Sequence, residues 1–292
     1  MFPPAAEPVA SLILSLITLS SLVRASEAAG SVFVYAGCSP SKFQPNSPYQ
    51  SNLNSLFTSI AFSASRSAYS SYTTGAGDST IYGLYQCRND MSSADCSACV
   101  QSAVGQLSLV CAESYAASLQ LDSCYVRYSN DNFLGRPDTS LEYAKCSAST
   151  TDDAEFFRRR DDVLGGLQAG TGFRVSGSGT VEGQALCLGD LSAADCTACL
   201  AEALAKLKNA CGPAVAADVY LAQCYARYWA SGYYLHDSKE HSEDDVGRTV
   251  AIAVGALAGF SLVVVILSFL IKACKLTTGG GDHVGAWTKI IC

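Results

Sequence analysis

Cys199, Ala203, Leu207 and Ala210 recur at i, i+4, i+8 and i+11, the apolar stripe of a helix. The stripe follows Ser192-Ala193-Ala194-Asp195, where an N-cap serine with an acid three residues later resembles a capping box. The same start, Ser92-Ser93-Ala94-Asp95, occurs 100 residues earlier and predicts a helix that places Cys96 and Cys99 one turn apart. An earlier helix in each half is predicted by Leu53, Leu56, Phe57, Ile60 and Ala64, and by Phe156, Phe157, Val163, Leu164 and Leu167. Strand patterns surround these helices. SVFVYAG at 31–37 is rich in β-branched and aromatic residues, and IYGLYQC at 81–87 follows a glycine turn at 75–77. LDSCYVRY at 121–128 alternates, with Cys124, Val126 and Tyr128 on one face and Tyr125 and Arg127 on the other. Helices mixed with short, hairpin-like strands predict an α+β fold on an antiparallel sheet.

Two apolar runs carry no charge and fit neither pattern. Residues 11–23, SLILSLITLSSLV, have the length of a signal-peptide h-region and are too short to cross a bilayer. Residues 1–25 are therefore read as a signal peptide cleaved within 25–29, after Val23-Arg24-Ala25 or at Ala28 or Ala29, although the n-region carries Glu7 and no Lys or Arg. Residues 249–271, TVAIAVGALAGFSLVVVILSFLI, reach about 34 Å at about 1.5 Å per residue, enough for a hydrocarbon core of about 30 Å. Lys272 and Lys275 follow this run and the acidic segment HDSKEHSEDD precedes it, which predicts a single-pass type I protein with a cytosolic C-terminus. On this reading residues 239–248 form an acidic juxtamembrane stalk, and the tail 272–292 is too short for a folded enzyme.

The exported part is a tandem repeat. At an offset of 100, residues 87–128 align without a gap and 18 of 42 positions are identical, including five cysteines and Cys-Tyr-x-Arg-Tyr at 124–128 and 224–228. The repeats are delimited as cysteine-rich domains at 31–137 and 140–238. Each holds six cysteines, at 38, 87, 96, 99, 111 and 124 and at 146, 187, 196, 199, 211 and 224, leaving Cys274 and Cys292 beyond the apolar run. Cys87, Cys96, Cys99 and Cys111 have the composition of a four-thiolate zinc site. Behind a signal peptide, however, thiols meet an oxidising lumen, and an even count in a small exported domain predicts disulfides. Nor does the C-x2-C pair stand beside the βαβ unit that a redox motif needs. Six cysteines allow 15 pairings, and spacing does not choose among them.

The order C-x8-C-x2-C-x11-C-x12-C resembles the plant ginkbilobin-type, or stress-antifungal, cysteine-rich domain. Two such domains occur in cysteine-rich receptor-like kinases, in secreted relatives and in plasmodesmata-located proteins. A signal peptide, two repeats, one membrane helix and a short tail without a kinase resemble the last group from end to end. The resemblance implies two helices packed on a five-stranded antiparallel sheet in each repeat. It also implies the pairing Cys38–Cys111, Cys87–Cys96, Cys99–Cys124, Cys146–Cys211, Cys187–Cys196 and Cys199–Cys224. The implied function is control of cell-to-cell traffic at plasmodesmata, linked to callose and defence. The implied partners are callose-regulating proteins and viral movement proteins; the alternative reading is a cell-wall polysaccharide-binding sensor, or a co-receptor of a cysteine-rich receptor-like kinase, at the plasma membrane. The mannose-binding positions of ginkbilobin are an asparagine, an arginine and a glutamate. Here they hold Ser39, Ser118 and Ser129 in repeat 1, and Ser147, Asp218 and Trp229 in repeat 2, so mannose binding through that site is not expected.

Little else carries chemistry. No nucleophile elbow, Ser/His/Asp set or phosphate loop is visible, and the three histidines are His236 and His241 in the stalk region and His283 in the tail. Binding is expected rather than catalysis, with no cofactor and no metal. Net charge −7 and the absence of an aromatic-basic pattern argue against nucleic acid. Arg158-Arg159-Arg160 beside Asp161 and Asp162 reads as a solvated, ion-paired face, with a polyanion patch as the alternative. Arg127 and Arg227 are expected to stack on neighbouring tyrosines. Gly255 and Gly259 give the apolar run a G-x-x-x-G spacing suited to helix–helix contact and homo- or hetero-oligomers, and Cys274 is placed for S-acylation.

Overall fold

The Ser47 hydroxyl accepts a hydrogen bond from the Gln50 amide, and Pro48 takes the first helical position, which starts α1 (Pro48–Ser63). Helices α2 (Ser93–Val110) and α4 (Ala193–Cys211) are N-capped by Ser92 and Ser192, and α3 (Ala154–Gln168) fills the place of α1 in the second half. The computed structural model describes residues 32–168 and 171–233. The signal peptide, stalk, apolar run and tail inferred above, with Gly255, Gly259, Cys274 and the three histidines, lie outside the described residues. Among the described residues, no helix is long and apolar enough to cross a membrane.

Each repeat forms one antiparallel sheet. Repeat 1 contributes β1 (Phe33–Cys38), β2 (Tyr69–Thr74), β3 (Ile81–Cys87), β4 (Ala116–Leu121) and β5 (Cys124–Ser129), ordered β1-β4-β5-β3-β2. Repeat 2 repeats the order with β6 (Leu141–Cys146), β7 (Arg174–Ser178), β8 (Val181–Cys187), β9 (Ala216–Leu221) and β10 (Cys224–Ala230), as β6-β9-β10-β8-β7. The register slips at the same place in β1 and β6, between Phe33 and Tyr35 and between Leu141 and Tyr143.

The two helices of each repeat cover one face of its sheet. Leu53, Leu56 and Ile60 of α1 and Val100, Ala103 and Leu107 of α2 meet Ile81, Tyr85, Leu119, Val126 and Tyr128. Val163, Leu164, Leu167, Leu200, Ala203 and Leu207 do the same in repeat 2. Glycine brings helix and sheet together at one equivalent point. A Cβ on Gly83 would stand 2.6 Å from Leu56 Cδ2, and one on Gly183 would stand 2.7 Å from Val163 Cγ1 and 2.8 Å from the Arg227 carbonyl.

Several expectations are corrected. LDSCYVRY is a hairpin rather than one strand: Leu121 ends β4, Asp122 and Ser123 turn, and Cys124 begins β5. Ala210 is exposed, and the buried stripe of α4 runs instead through Cys196, Cys199, Leu200, Ala203, Leu204, Leu207 and Cys211. The helix starts also differ from a full capping box. Ser92 accepts from the Asp95 amide at 3.2 Å and donates its hydroxyl to the Asp95 carboxylate at 2.7 Å. An aspartate, one methylene shorter than glutamate, meets the serine hydroxyl where a glutamate would reach the N-cap amide.

Six disulfides join these elements, and no described cysteine is free. Cys87–Cys96 and Cys187–Cys196 join the end of β3 and β8 to the start of α2 and α4. Cys99–Cys124 and Cys199–Cys224 join those helices to β5 and β10. Cys38–Cys111 and Cys146–Cys211 join the helix ends to the edge strands β1 and β6. In the last two pairs one cysteine, Cys38 or Cys146, is exposed, whereas both members of the other four pairs are buried.

Exposure therefore sets the order of reduction. Mild thiol treatment followed by alkylation and peptide mapping should label Cys38, Cys111, Cys146 and Cys211 before the other eight. Loop length sets the cost of removal. C38A/C111A opens a separation of 73 residues and C87A/C96A one of 9. Denaturant titration should show losses of about 4 and about 3 kcal/mol respectively.

Candidate functional site

The faces of the two sheets turned away from the helices are also apolar, and they pack on each other. Tyr35, Leu84 and Tyr125 of repeat 1 meet Leu186, Leu188, Tyr220 and Tyr225 of repeat 2 in one buried cluster. Strand alternation supplies this face: Tyr125 lies between Cys124 and Val126, and Tyr225 between Cys224 and Ala226, with the flanking residues in the helix-covered cores. Tyr35 stacks on Tyr143 at 5.8 Å and meets Tyr220 edge-on at 5.6 Å, while Tyr220 and Tyr225 lie 4.9 Å apart. Burial raises all four tyrosines Tyr35, Tyr125, Tyr220 and Tyr225 above the ordinary phenol range, Tyr125 to about 12.

Polar residues frame this apolar layer. The Gln86 side-chain carbonyl accepts from the Gly189 amide at 3.1 Å, across the two repeats. Gly189 is needed there, because a Cβ would stand 2.6 Å from the Tyr69 ring. Arg227 donates to Asp218 of its own sheet at 2.7 Å and to Asp122 of the other repeat at 2.9 Å. Arg88 also reaches Asp122, at 3.5 Å, and lies over the Phe173 ring at 5.2 Å. The linker is held as well. Gln223 accepts from the Asp138 amide at 2.7 Å, and Asp190 accepts from the Gly135 amide at 3.1 Å.

The two equivalent arginines thus differ from the expectation and from each other. Arg127 lies over Phe133 at 4.3 Å, a phenylalanine rather than a tyrosine, with Asp138 at 3.8 Å, and Arg227 is the buried member paired with two aspartates. The arginine triplet also divides. Arg158 and Arg159 pair with Glu155 on the helix surface, and Arg158 also with Asp162; these partners hold the Glu155 carboxyl down at about 2. Arg160 is instead buried, lies over Phe157 at 4.9 Å and donates to the Gly212 carbonyl at 2.8 Å. This anchoring role had no signal in the sequence beyond its place on the apolar side of α3.

The positions compared with the mannose contacts are occupied internally. Ser147 donates to the Ser149 carbonyl at 2.6 Å, Asp218 holds Arg227, and the Trp229 indole donates to Glu182 at 2.9 Å. In repeat 1, Ser39 and Ser129 accept from the amides two residues on, and Ser118 is buried. Between the sheets, the cavity lined by Tyr35, Tyr125, Leu186, Leu188, Tyr220 and Tyr225 measures about 10 Å³, room for roughly one water and none for a sugar. Among the described residues, no cluster of His, Cys, Asp and Glu is arranged to hold a metal. What the repeats offer a partner is their outer surface.

Two disulfide-stapled domains packed sheet to sheet define a tandem cysteine-rich module. Residues 37–131 and 145–231 match the salt stress response/antifungal family, Stress-antifung. Plasmodesmata-located protein 8 of Arabidopsis thaliana is 53% identical over 245 residues, covering 81% of this chain and 88% of that protein. Plasmodesmata-located protein 6 of the same plant is 44% identical, covering 92% and 98%. The crystal structure of the tandem DUF26 ectodomain of the Arabidopsis thaliana cysteine-rich receptor-like protein PDLP8 superposes with a TM-score of 0.68 at 55% identity, over 69% of this chain and 100% of that one. The corresponding ectodomain of PDLP5 gives 0.65 at 41% identity, over 68% and 100%. The chain belongs to the plasmodesmata-located protein family.

The asymmetry between the arginines is measurable. The Arg227 side chain is 9% exposed, and truncating it strands Asp218, so R227A should cost about 3 kcal/mol or more in denaturant titration. R127A, whose partner Asp138 is 40% exposed, should cost about 1 kcal/mol or less. The tyrosines predict an alkaline limit. The fold holds them neutral, and the unfolded chain ionises them near pH 10. Their contribution is therefore complete below about pH 10 and is lost as the pH rises toward about 12, where Tyr125 titrates. Tyrosinate absorbance should accordingly rise in a late step that coincides with unfolding.

Proposed function

We propose that the chain is a non-enzymatic type I membrane protein of plasmodesmata that modulates cell-to-cell trafficking through callose-linked permeability control and defence signalling. The observation that carries this reading is the match to plasmodesmata-located protein 8, which covers 81% of this chain and 88% of that protein. In this reading the signal peptide exports the tandem ectodomain to the wall side. Residues 249–271 cross the plasma membrane, and residues 272–292 lie in the cytosol. Gly255 and Gly259 provide a helix–helix contact, and Cys274 a site for S-acylation. The partners are proteins: a receptor-like kinase on the wall side, a callose-regulating protein at the tail, or a viral movement protein. A wall polysaccharide is less well supported. The inter-repeat cavity takes about one water, and Asp218 and Trp229 already have internal partners.

Imaging of a C-terminal fluorescent fusion in leaf epidermis, beside a callose stain and a diffusing reporter, tests the reading. The expected result is puncta overlapping callose, with reporter spread changed on overexpression. An even outline of the cell periphery with unchanged spread would refute it and favour a general plasma-membrane co-receptor.

A further inference from the structure

Strand β2 is an edge of its sheet, paired with β3 alone. The Cys87 amide donates to the Ala68 carbonyl at 2.7 Å, which fixes the phase of this ladder. By alternation Ser70, Tyr72 and Thr74 turn their backbone groups toward β3, and Tyr69, Ser71 and Thr73 turn theirs outward. The Ser67 hydroxyl meets both outward groups of Tyr69, accepting from its amide at 3.3 Å and donating to its carbonyl at 2.6 Å. The outward amides and carbonyls of Ser71 and Thr73 have no partner among the described residues, and both residues are exposed.

Edges are ordinarily protected by charge, proline, a bulge or a short length. The other three are. Strands β1 and β6 slip in register, β6 also carries Glu142 and Lys145, and β7 is one residue shorter than β2, opens on Arg174 and contains Gly177. Strand β2, Tyr-Ser-Ser-Tyr-Thr-Thr, has an unbroken register and no charge or proline. The helix beside it is equally bare, with no charged residue from Ser47 to Ser65, whereas α3, beside β7, carries Glu155, Arg158, Arg159, Asp161 and Asp162.

We propose that β2 pairs antiparallel with β2 of a second copy of this chain, about a dyad at Tyr72, and joins two five-stranded sheets into one. The occupant follows from the strand's chemistry. Ser70-Ser71-Tyr72-Thr73-Thr74 is symmetric in chemical class about its tyrosine, with two hydroxyl residues on each side. Inverted about Tyr72, it sets Ser71 opposite Thr73 and Thr73 opposite Ser71, so the outward backbone groups meet and the facing pairs are Ser–Thr, a favourable cross-strand combination. Two copies of a chain with net charge −7 repel, and an uncharged patch is where they approach at least electrostatic cost.

Co-purification of two differently tagged full-length copies tests this. S71K/T73K and S71E/T73E each place like charges opposite one another in this register, and each alone should lower recovery of the second tag by about tenfold. Co-expressing one of each places Lys opposite Glu and should restore the wild-type yield, which also shows that both variants fold. Three results would overturn the proposal: no recovery with the wild type, wild-type recovery with either single-sign variant, or failure of the mixed pair to recover. Contact through Gly255 and Gly259 alone would give the second of these.

Discussion

A sheet that is apolar on both faces needs two covers, and everything else in this tandem module follows from how the second is supplied. Within each repeat, α1 and α2 or α3 and α4 bury one face. The other presents Tyr35, Leu84 and Tyr125, or Leu186, Tyr220 and Tyr225, and would be an exposed apolar patch on an isolated domain. Each repeat is the other's cover. The duplication thereby solves a burial problem, and the outer helices and sheet edges are left as the surfaces available to partners.

That solution required the two copies to diverge. At an offset of 100, the contact face keeps Tyr125/Tyr225 and Arg127/Arg227 but exchanges most of the rest. Leu84 faces Gln184, Gln86 faces Leu186, Arg88 faces Leu188, Gln120 faces Tyr220 and Asp122 faces Ala222 in the alignment. Two of the polar members bridge the repeats, Gln86 to Gly189 and Asp122 to Arg227. Because Ala222 stands where Asp122 does, Arg127 has no equivalent partner, and it falls back on the half-buried Asp138 and the Phe133 ring. Complementarity runs from repeat 1 to repeat 2 and not from either repeat to itself.

Much of the single-repeat fold was legible because its signals are local. Serine N-caps, a 3.6-residue stripe and the cysteine spacing each act within one turn or one hairpin. The misreadings share a cause in burial from both sides. Ala116–Leu121 and Cys124–Ser129 are buried on both faces, so alternation could not separate them, and the turn at Asp122 and Ser123 passed as strand. The serine- and glycine-rich edges β2 and β7 bury little and leave almost no apolar period. Arg160 reads like Arg158 and Arg159 because composition is blind to which of three consecutive arginines faces inward. The packing between repeats had no local signature at all. It depends on residues 100 apart that are recognisable as partners only once both sheets are built.

The mutual cover also imposes an order in time. Repeat 1 can close its sheet once Cys124–Ser129 has emerged from the ribosome, yet the side chains of repeat 2 that shield Tyr35 and Tyr125 run from Tyr143 to Tyr225. At about 5–20 residues per second, that interval lasts on the order of 5–20 s, during which a folded domain displays an uncovered tyrosine-rich face. Any substitution that slows the folding of repeat 2 therefore lengthens the exposure of repeat 1.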